Sequence, residues 1–350
     1  MEQVVTKRIE YIDALRGFAM ILVVYFHISA YGFGSYETGY NDIIERFRMP
    51  IFFFISGWLF YKANRIWNWE TIVDLLQKKW MQLIIPTVIF MTLYLIIFGY
   101  WDFSSLGSDK KGYWFTFVLF EFIAIFVTAE ALLNKHHTTK GEIRVMIIIL
   151  FLSISAFYYA KYYTHYSEEL GNWKTILGLF SFVKIRHIIF FWFGTIVKKH
   201  FDRFIRITNN QYVLAILIGL FISMIAFPVI FSTKRLEYIT YLTAGILGIV
   251  ICFSFFRAND SYLSNSTWYG KTLRYIGQRT LEIYLIHYFV LPYHIEELGK
   301  RLHVYDNSGI CLIVSLILSA YVIIICLLIS WSLRLSPIIC KYLFGRAMKK

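Results

Sequence analysis

Residues 13–30 read DALRGFAMILVVYFHISA. The segment is apolar enough to sit in lipid, yet it opens on Asp13 and Arg16 and carries His27 within it. Ionisable groups inside a spanning helix are expensive and, by default, mark function. Arg16 and His27 are eleven positions apart, which brings a helix back to within about 20° of one face and separates them by about 16 Å along the axis. Asp13, one turn before Arg16, falls on that face and can pair with it. One stripe therefore holds an ion pair at the inner mouth and an imidazole in the outer half. This pattern suggests a polar route that enters from the cytoplasm and ends at a base. The plainer alternative is that Asp13 and Arg16 end the helix at the interface while His27 bonds a neighbouring helix.

The whole composition matches that first stretch. The chain has 350 residues, of which 58% are hydrophobic, 20% aromatic and only 16% charged. Soluble domains carry about a quarter charged residues, so the bilayer is the natural solvent of this chain. The net charge of +13 reads as Lys and Arg gathered on cytoplasmic loops. It is no nucleic-acid footprint, because no soluble module carries a basic stripe. The four cysteines (Cys252, Cys311, Cys326, Cys340) show no paired spacing and read as small packing residues. Basic residues ahead of the first apolar stretch imitate a signal peptide, but Asp13 and Arg16 interrupt it, so it reads as a retained span.

Apolar segments of spanning length fall at 12–31, 43–62, 82–101, 113–133, 144–162, 178–198, 211–232, 238–256, 272–293 and 309–333. The expected fold is thus an all-α integral membrane bundle of about ten helices, each near the ~20 residues a bilayer core requires. Alternate loops carry roughly twice the Lys and Arg of their opposites (Lys7, Arg8, Lys62, Arg65, Lys78, Lys79 among them), placing both termini in the cytoplasm. Asp102, Asp109, Glu168 and Glu169 fall on the outer side. The chain reads as a single transmembrane domain over 1–350 without a soluble domain. Residues 66–81 mix apolar and charged side chains at helical spacing and predict an interfacial cytoplasmic helix.

Further candidates come from polar residues in apolar runs. Arg48, in RFRMPIFFFISGWLF, lies at the outer surface at a depth similar to His27, ready for a substrate or for headgroup phosphates. Ser56 and Gly57 offer a small-residue contact for close helix packing. Glu121 lies near mid-membrane and needs a partner or a proton. Arg186 occupies the outer part of the sixth span. Tyr284 and His287 share one face of the ninth span at i, i+3, where His287 serves either a substrate or, as the more ordinary reading, a neighbouring helix. There is no metal-ligand spacing, phosphate-binding glycine loop or nucleophile elbow.

RIEYIDALRGFAMILVVYFHIS followed by FRMPIFFFISGWLFYK resembles the membrane-bound acyltransferase family 3, which includes polysaccharide and fucose O-acetylases and adhesin succinyltransferases. The resemblance rests on Arg16 and His27 with ten residues between them, and on Arg48, Pro50, Phe53, Phe54, Ser56 and Gly57. WFTFVL, FFWFGTIVKK and IGQRTLEIYLIHYFV are weaker echoes along the chain. Where many members carry paired arginines before the third helix, KKWMQLIIP has Lys79 and Gln82. The resemblance implies acyl transfer, most simply of acetyl, from a cytoplasmic acyl-CoA to a hydroxyl of a cell-surface or lipid-linked carbohydrate in the cell membrane. His27 would be catalytic with Arg16 and Asp13, and the donor nucleotide would meet Lys78 and Lys79. Arg48, Glu121, Arg186, Tyr284 and His287 would face substrate, and no metal is called for. A glycan or solute transporter is the competing class, but transporters often show pseudo-repeats and helices broken at matching positions. The five prolines of this chain lie mostly near helix ends.

Overall fold

The computed structural model describes residues 9–33, 39–63, 65–99, 112–134, 138–165, 181–226, 237–263, 266–292, 294–303 and 308–344. Lys7, Arg8, Asp102, Asp109, Glu168 and Glu169, which enter the orientation argument, lie outside them. Among the described residues every regular element is helical. In order these are α1 (Glu10–Phe33), α2 (Gly39–Phe60), α3 (Trp69–Lys79), α4 (Ile85–Phe98), α5 (Trp114–Leu133), α6 (Thr139–His165) and α7 (Ile188–Lys199). They continue as α8 (Phe201–Thr208), α9 (Gln211–Ala226), α10 (Glu237–Ala258), α11 (Trp268–Gln278), α12 (Thr280–Val290), α13 (Ile295–His303), α14 (Ser308–Leu333) and α15 (Pro337–Phe344).

Among the described residues, six helical segments are long and apolar enough to cross a membrane: Glu10–Phe33, Trp69–Phe98, Trp114–Leu133, Thr139–Tyr162, Glu237–Ala258 and Gly309–Leu333. A seventh arises if α8 and α9, bent by 81° at Asn209–Asn210, form one broken span. Large apolar side chains such as Ile97, Ile147, Phe151, Ile216, Ile317 and Ile324 are exposed on these helices. In water they would be an aggregation hazard, and in lipid they are at home. The chain is a multi-pass membrane protein.

Three of the expected spans differ in detail. The sixth, 178–198, is a 3₁₀ segment (Phe182–His187) followed by the twelve residues of α7. The ninth, 272–293, breaks at Arg279 into α11 and α12, and only α12 is apolar throughout. Lys271, Arg274, Gln278 and Arg279 make α11 too polar to lie wholly in lipid. The third expected span, 82–101, is continuous with the helix before it, because α3 runs on into α4 through a π-helical turn, Trp80–Ile84. Pro86 lacks an N–H and its ring crowds the preceding carbonyls, so the widened turn there relieves the clash. At the other end of that span Asn68 caps α3 in a reciprocal box with Thr71, while Gly99 (φ 70°) closes α4 in the left-handed conformation.

The chain divides into two compact units, Met1–Ile55 with Asp202–Leu328 and Ser56–Phe201 with Ile329–Lys350. In the first, α1 is the central element, packed by α10, α11, α12 and α13. Its approach to α11 is set by glycines. A Cβ at Gly17 would run into the Leu273 carbonyl, and one at Gly277 into the Asp13 carbonyl. Gly32 and Gly299 repeat the arrangement where α1 crosses α13. Backbones meet this closely in lipid because small residues maximise van der Waals contact where no hydrophobic force drives association. In the second unit Gly57 does the same, its Cα set against the Phe191 carbonyl of α7, as the Ser56–Gly57 pair suggests.

Gly277→Ala is expected to destabilise the protein by about 2 kcal/mol, as overpacking does. Gly219→Ala on α9, where a new methyl meets nothing within 4 Å, is expected to gain up to about 1 kcal/mol of helix propensity. Thermal unfolding in detergent reads both. Equal responses at the two positions would contradict the α1–α11 crossing.

Candidate active site

The polar stripe of α1 meets the α11–α12 break. At its N-terminal end Glu10 Oε2 lies 3.1 Å from Arg274 Nη1, and Gln278 Nε2 donates to Asp13 Oδ2 at 3.2 Å. Arg16 Nη2 donates to Thr280 Oγ1 at 2.7 Å, and its Nη1 stands 3.9 Å from Asp13 Oδ1. The i, i+3 pairing of Asp13 with Arg16 is therefore present, but its geometry is loose. The stronger bond of Arg16 runs across to α12. Asp13 is buried and Arg16 half-buried, so these contacts stabilise more than the same pair would in water. The interruption at Arg279 frees the Thr280 hydroxyl at the start of α12 to receive the guanidinium.

Further along α1, His27 faces α12. Its Nε2 is 3.1 Å from the Tyr288 hydroxyl. The His27 ring centroid lies 5.2 Å from those of both Tyr288 and His287, and Tyr31 stacks on it at 5.9 Å. His287 is fully buried, and its Nδ1 sits 2.8 Å from the Tyr284 carbonyl and 3.1 Å from that of Ile283. The ordinary reading of His287, a bond to a neighbouring helix, is not what the structure contains. Its bonded nitrogen serves its own helix, and Nε2 is buried without a hydrogen-bond partner among the described residues. Tyr284 is buried next to it, with ring centroids 6.1 Å apart.

Arg48 reaches the same place from α2. Its guanidinium carbon lies 3.5 Å from the centroid of the Phe26 ring, a cation–π contact one residue from His27. The side chain is buried, and neither Nε nor Nη1 has an acceptor among the described residues. Asn41 Nδ2, donating to Ser29 Oγ at 2.8 Å, ties α2 to α1 nearby. The first unit thus brings together Arg16, His27, Arg48, Tyr284 and His287, with Asp13 at the N-terminal end of the stripe.

The other candidates belong to the second unit. Glu121 is half-buried on α5. Arg186 lies in the 3₁₀ segment, where its carbonyl accepts from Ser153 Oγ at 2.7 Å. Lys78 and Lys79 line an open basin of about 340 Å³ with Lys62, Arg65 and Asp74. Four cations against one carboxylate give it a positive balance of charge. Partial burial lowers the Arg65 guanidinium from its ordinary pKa, and a guanidinium remains charged at neutral pH regardless. Gln82 Oε1 accepts from Lys79 Nζ at 3.3 Å. Beside the basin, Lys199 pairs with Glu142.

Sequence reasoning missed Tyr288, Thr280 and Gln278. Each is an uncharged polar residue that any helix end or interface can carry. Only the fold reveals that they lie opposite His27, Arg16 and Asp13. The one available signal was a phenol beside His287 inside an apolar run.

An imidazole bonded to a phenol, a second imidazole with an unused nitrogen and a buried guanidinium with unused N–H groups can together move protons and stabilise a developing oxyanion. Among the described residues no three His, Cys, Asp or Glu side chains converge as metal ligands would. Neither the curated proteins nor the solved structures contain a significant match to this chain. A family model described as an acyltransferase domain matches residues 9–334, and the chain therefore belongs to acyltransferase family 3.

Proposed function

We propose that this protein moves an acyl group, acetyl in the simplest case, from a cytoplasmic acyl-CoA to a hydroxyl of a cell-surface or lipid-linked carbohydrate. The observation that carries the reading is His27 bonded to Tyr288 beside the unsatisfied N–H groups of Arg48, within a membrane protein of an acyltransferase family. An alcohol is a poor nucleophile until its proton is leaving, and a thioester carbonyl gains negative charge as it is attacked. The centre holds an imidazole for the first task and a guanidinium for the second.

In this reading Lys78, Lys79, Lys62 and Arg65 hold the phosphates of the donor. Arg16, anchored on Asp13 and Thr280, lines the way toward His27, while Tyr284, His287, Glu121 and Arg186 face substrate. The domain spans 1–350 in the inner membrane as about ten passes with both termini cytoplasmic, and α3 lies at the cytoplasmic interface. The loop charges support that orientation, and the polar first turns of α2 and α11 explain why fewer helices meet a strict apolar criterion. No metal is required by this chemistry.

In detergent, the purified protein is expected to release thiol from acetyl-CoA, and cells carrying it to add acyl mass to their surface glycans. His27→Ala should lower both by a factor of about 10² to 10⁴, the usual worth of a positioned acid–base group, while accumulating normally. Near-normal product from that variant would overturn the role. Arg16→Lys keeps the charge but loses the fork that reaches both Thr280 and Asp13, so at least a tenfold loss of transfer is expected. Tyr288→Phe, which removes a single hydrogen bond, should cost about tenfold. Wild-type rates in both variants would separate the α1–α12 contacts from function.

A further inference from the structure

The two nitrogens of His287 are in opposite situations. Nδ1 faces two backbone carbonyls, of Tyr284 at 2.8 Å and Ile283 at 3.1 Å. Carbonyl oxygens only accept, so Nδ1 carries the hydrogen. In the neutral ring, Nε2 then bears the lone pair. That lone pair is buried, lacks a donor among the described residues, and belongs to a ring 5.2 Å from the His27 ring. A buried polar atom left unsatisfied costs about 1–3 kcal/mol and calls for an explanation. His27 is placed differently, since its Nε2 is already engaged by the Tyr288 hydroxyl. The ring of Tyr288 completes a triangle with the two imidazoles, 4.0 Å from His287 and 5.2 Å from His27 by centroids.

We propose that His287 is the proton acceptor for the incoming alcohol: its free Nε2 receives the hydroxyl proton, while His27, joined to Tyr288, returns a proton to the leaving sulfur. The step rests on the transfer reading above and balances as follows. The O–H bond of the acceptor breaks and its proton goes to Nε2 of His287. The oxygen forms a bond to the thioester carbon, the C–S bond breaks, and the sulfur leaves as a thiol with a proton from the His27–Tyr288 pair. The proton on His287 then returns to the His27–Tyr288 pair, which resets both rings.

The unsatisfied atoms also choose between ligands. Arg48 Nε and Nη1 lack acceptors while His287 Nε2 lacks a donor. A hydroxyl supplies both, accepting an N–H and donating its own hydrogen. A carboxylate would satisfy Arg48 but set its lone pairs against that of His287. The group received at this centre is therefore an uncharged hydroxyl.

The test uses His287→Asn in the full-length protein. Asparagine keeps an N–H in reach of the Ile283 and Tyr284 carbonyls but has no basic nitrogen. The variant is expected to accumulate and unfold like the wild type and to bind acetyl-CoA with unchanged affinity. Its transfer to surface glycan should fall by a factor of about 10² or more. His287→Ala, which leaves room for a free ring, should regain activity when imidazole is added, as lost packing alone would not. Transfer at the wild-type rate by His287→Asn, or no imidazole rescue of an accumulating His287→Ala, would overturn the assignment. A wild-type protein that consumes no acetyl-CoA at all would instead overturn the function on which it rests.

Discussion

Backbone contact between Gly17 and Gly277 sets the distance between α1 and the α11–α12 pair, and the polar centre depends on that distance. With side chains at those positions the helices would stand apart by the width of a methyl group or more, and the bonds from Arg16 to Thr280 and from His27 to Tyr288 would stretch beyond reach. In water such helices would be held by burial of apolar area. In lipid that force is missing, so close packing and hydrogen bonds across the crossing perform its task. The glycines therefore serve the chemistry as well as the fold.

The break at Arg279 is the second consequence of a low-dielectric surround. A continuous helix over 272–293 would have to carry Arg274, Gln278 and Arg279 in lipid. Breaking it gives Arg274 and Gln278 acidic partners on α1, Glu10 and Asp13, and leaves Thr280 for Arg16. Past the break α12 is apolar except where it meets α1, and there Tyr284, His287 and Tyr288 gather. Among the described residues, buried side-chain nitrogens of Arg274, Arg48 and His287 along this seam keep unused hydrogen-bonding capacity.

The sequence already contained much of this. A long apolar composition, helical periodicity and the cost of Asp13, Arg16 and His27 pointed to a membrane bundle with a polar stripe, and along α1 those residues do meet polar partners on α11 and α12. Arg48 at the depth of His27 followed from a short connection between antiparallel helices, and its contact with Phe26 agrees. Hydropathy did not reveal the break at Arg279 or the fusion of α3 with α4, because averaging over a window hides a single interrupted turn. Nor did it show which uncharged residues would stand opposite the charged ones. Thr280, Gln278 and Tyr288 lie some 260 positions from their partners, and no local pattern carries that information. Even His287 was legible only in part: its place on a helix face could be read, but not which of its nitrogens the backbone would occupy.

The most direct test of the centre is whether its two helices act as one unit in the reaction. A double-mutant cycle on transfer rate, comparing His27→Ala, Tyr288→Phe and the combined variant, reads this coupling free of any assumption about the acceptor. If His27 and Tyr288 work as a pair, the combined variant is no slower than His27→Ala alone, because the hydroxyl has nothing left to orient. If the two losses instead multiply, the residues act independently, and the account of α1 and α12 as halves of one centre is contradicted.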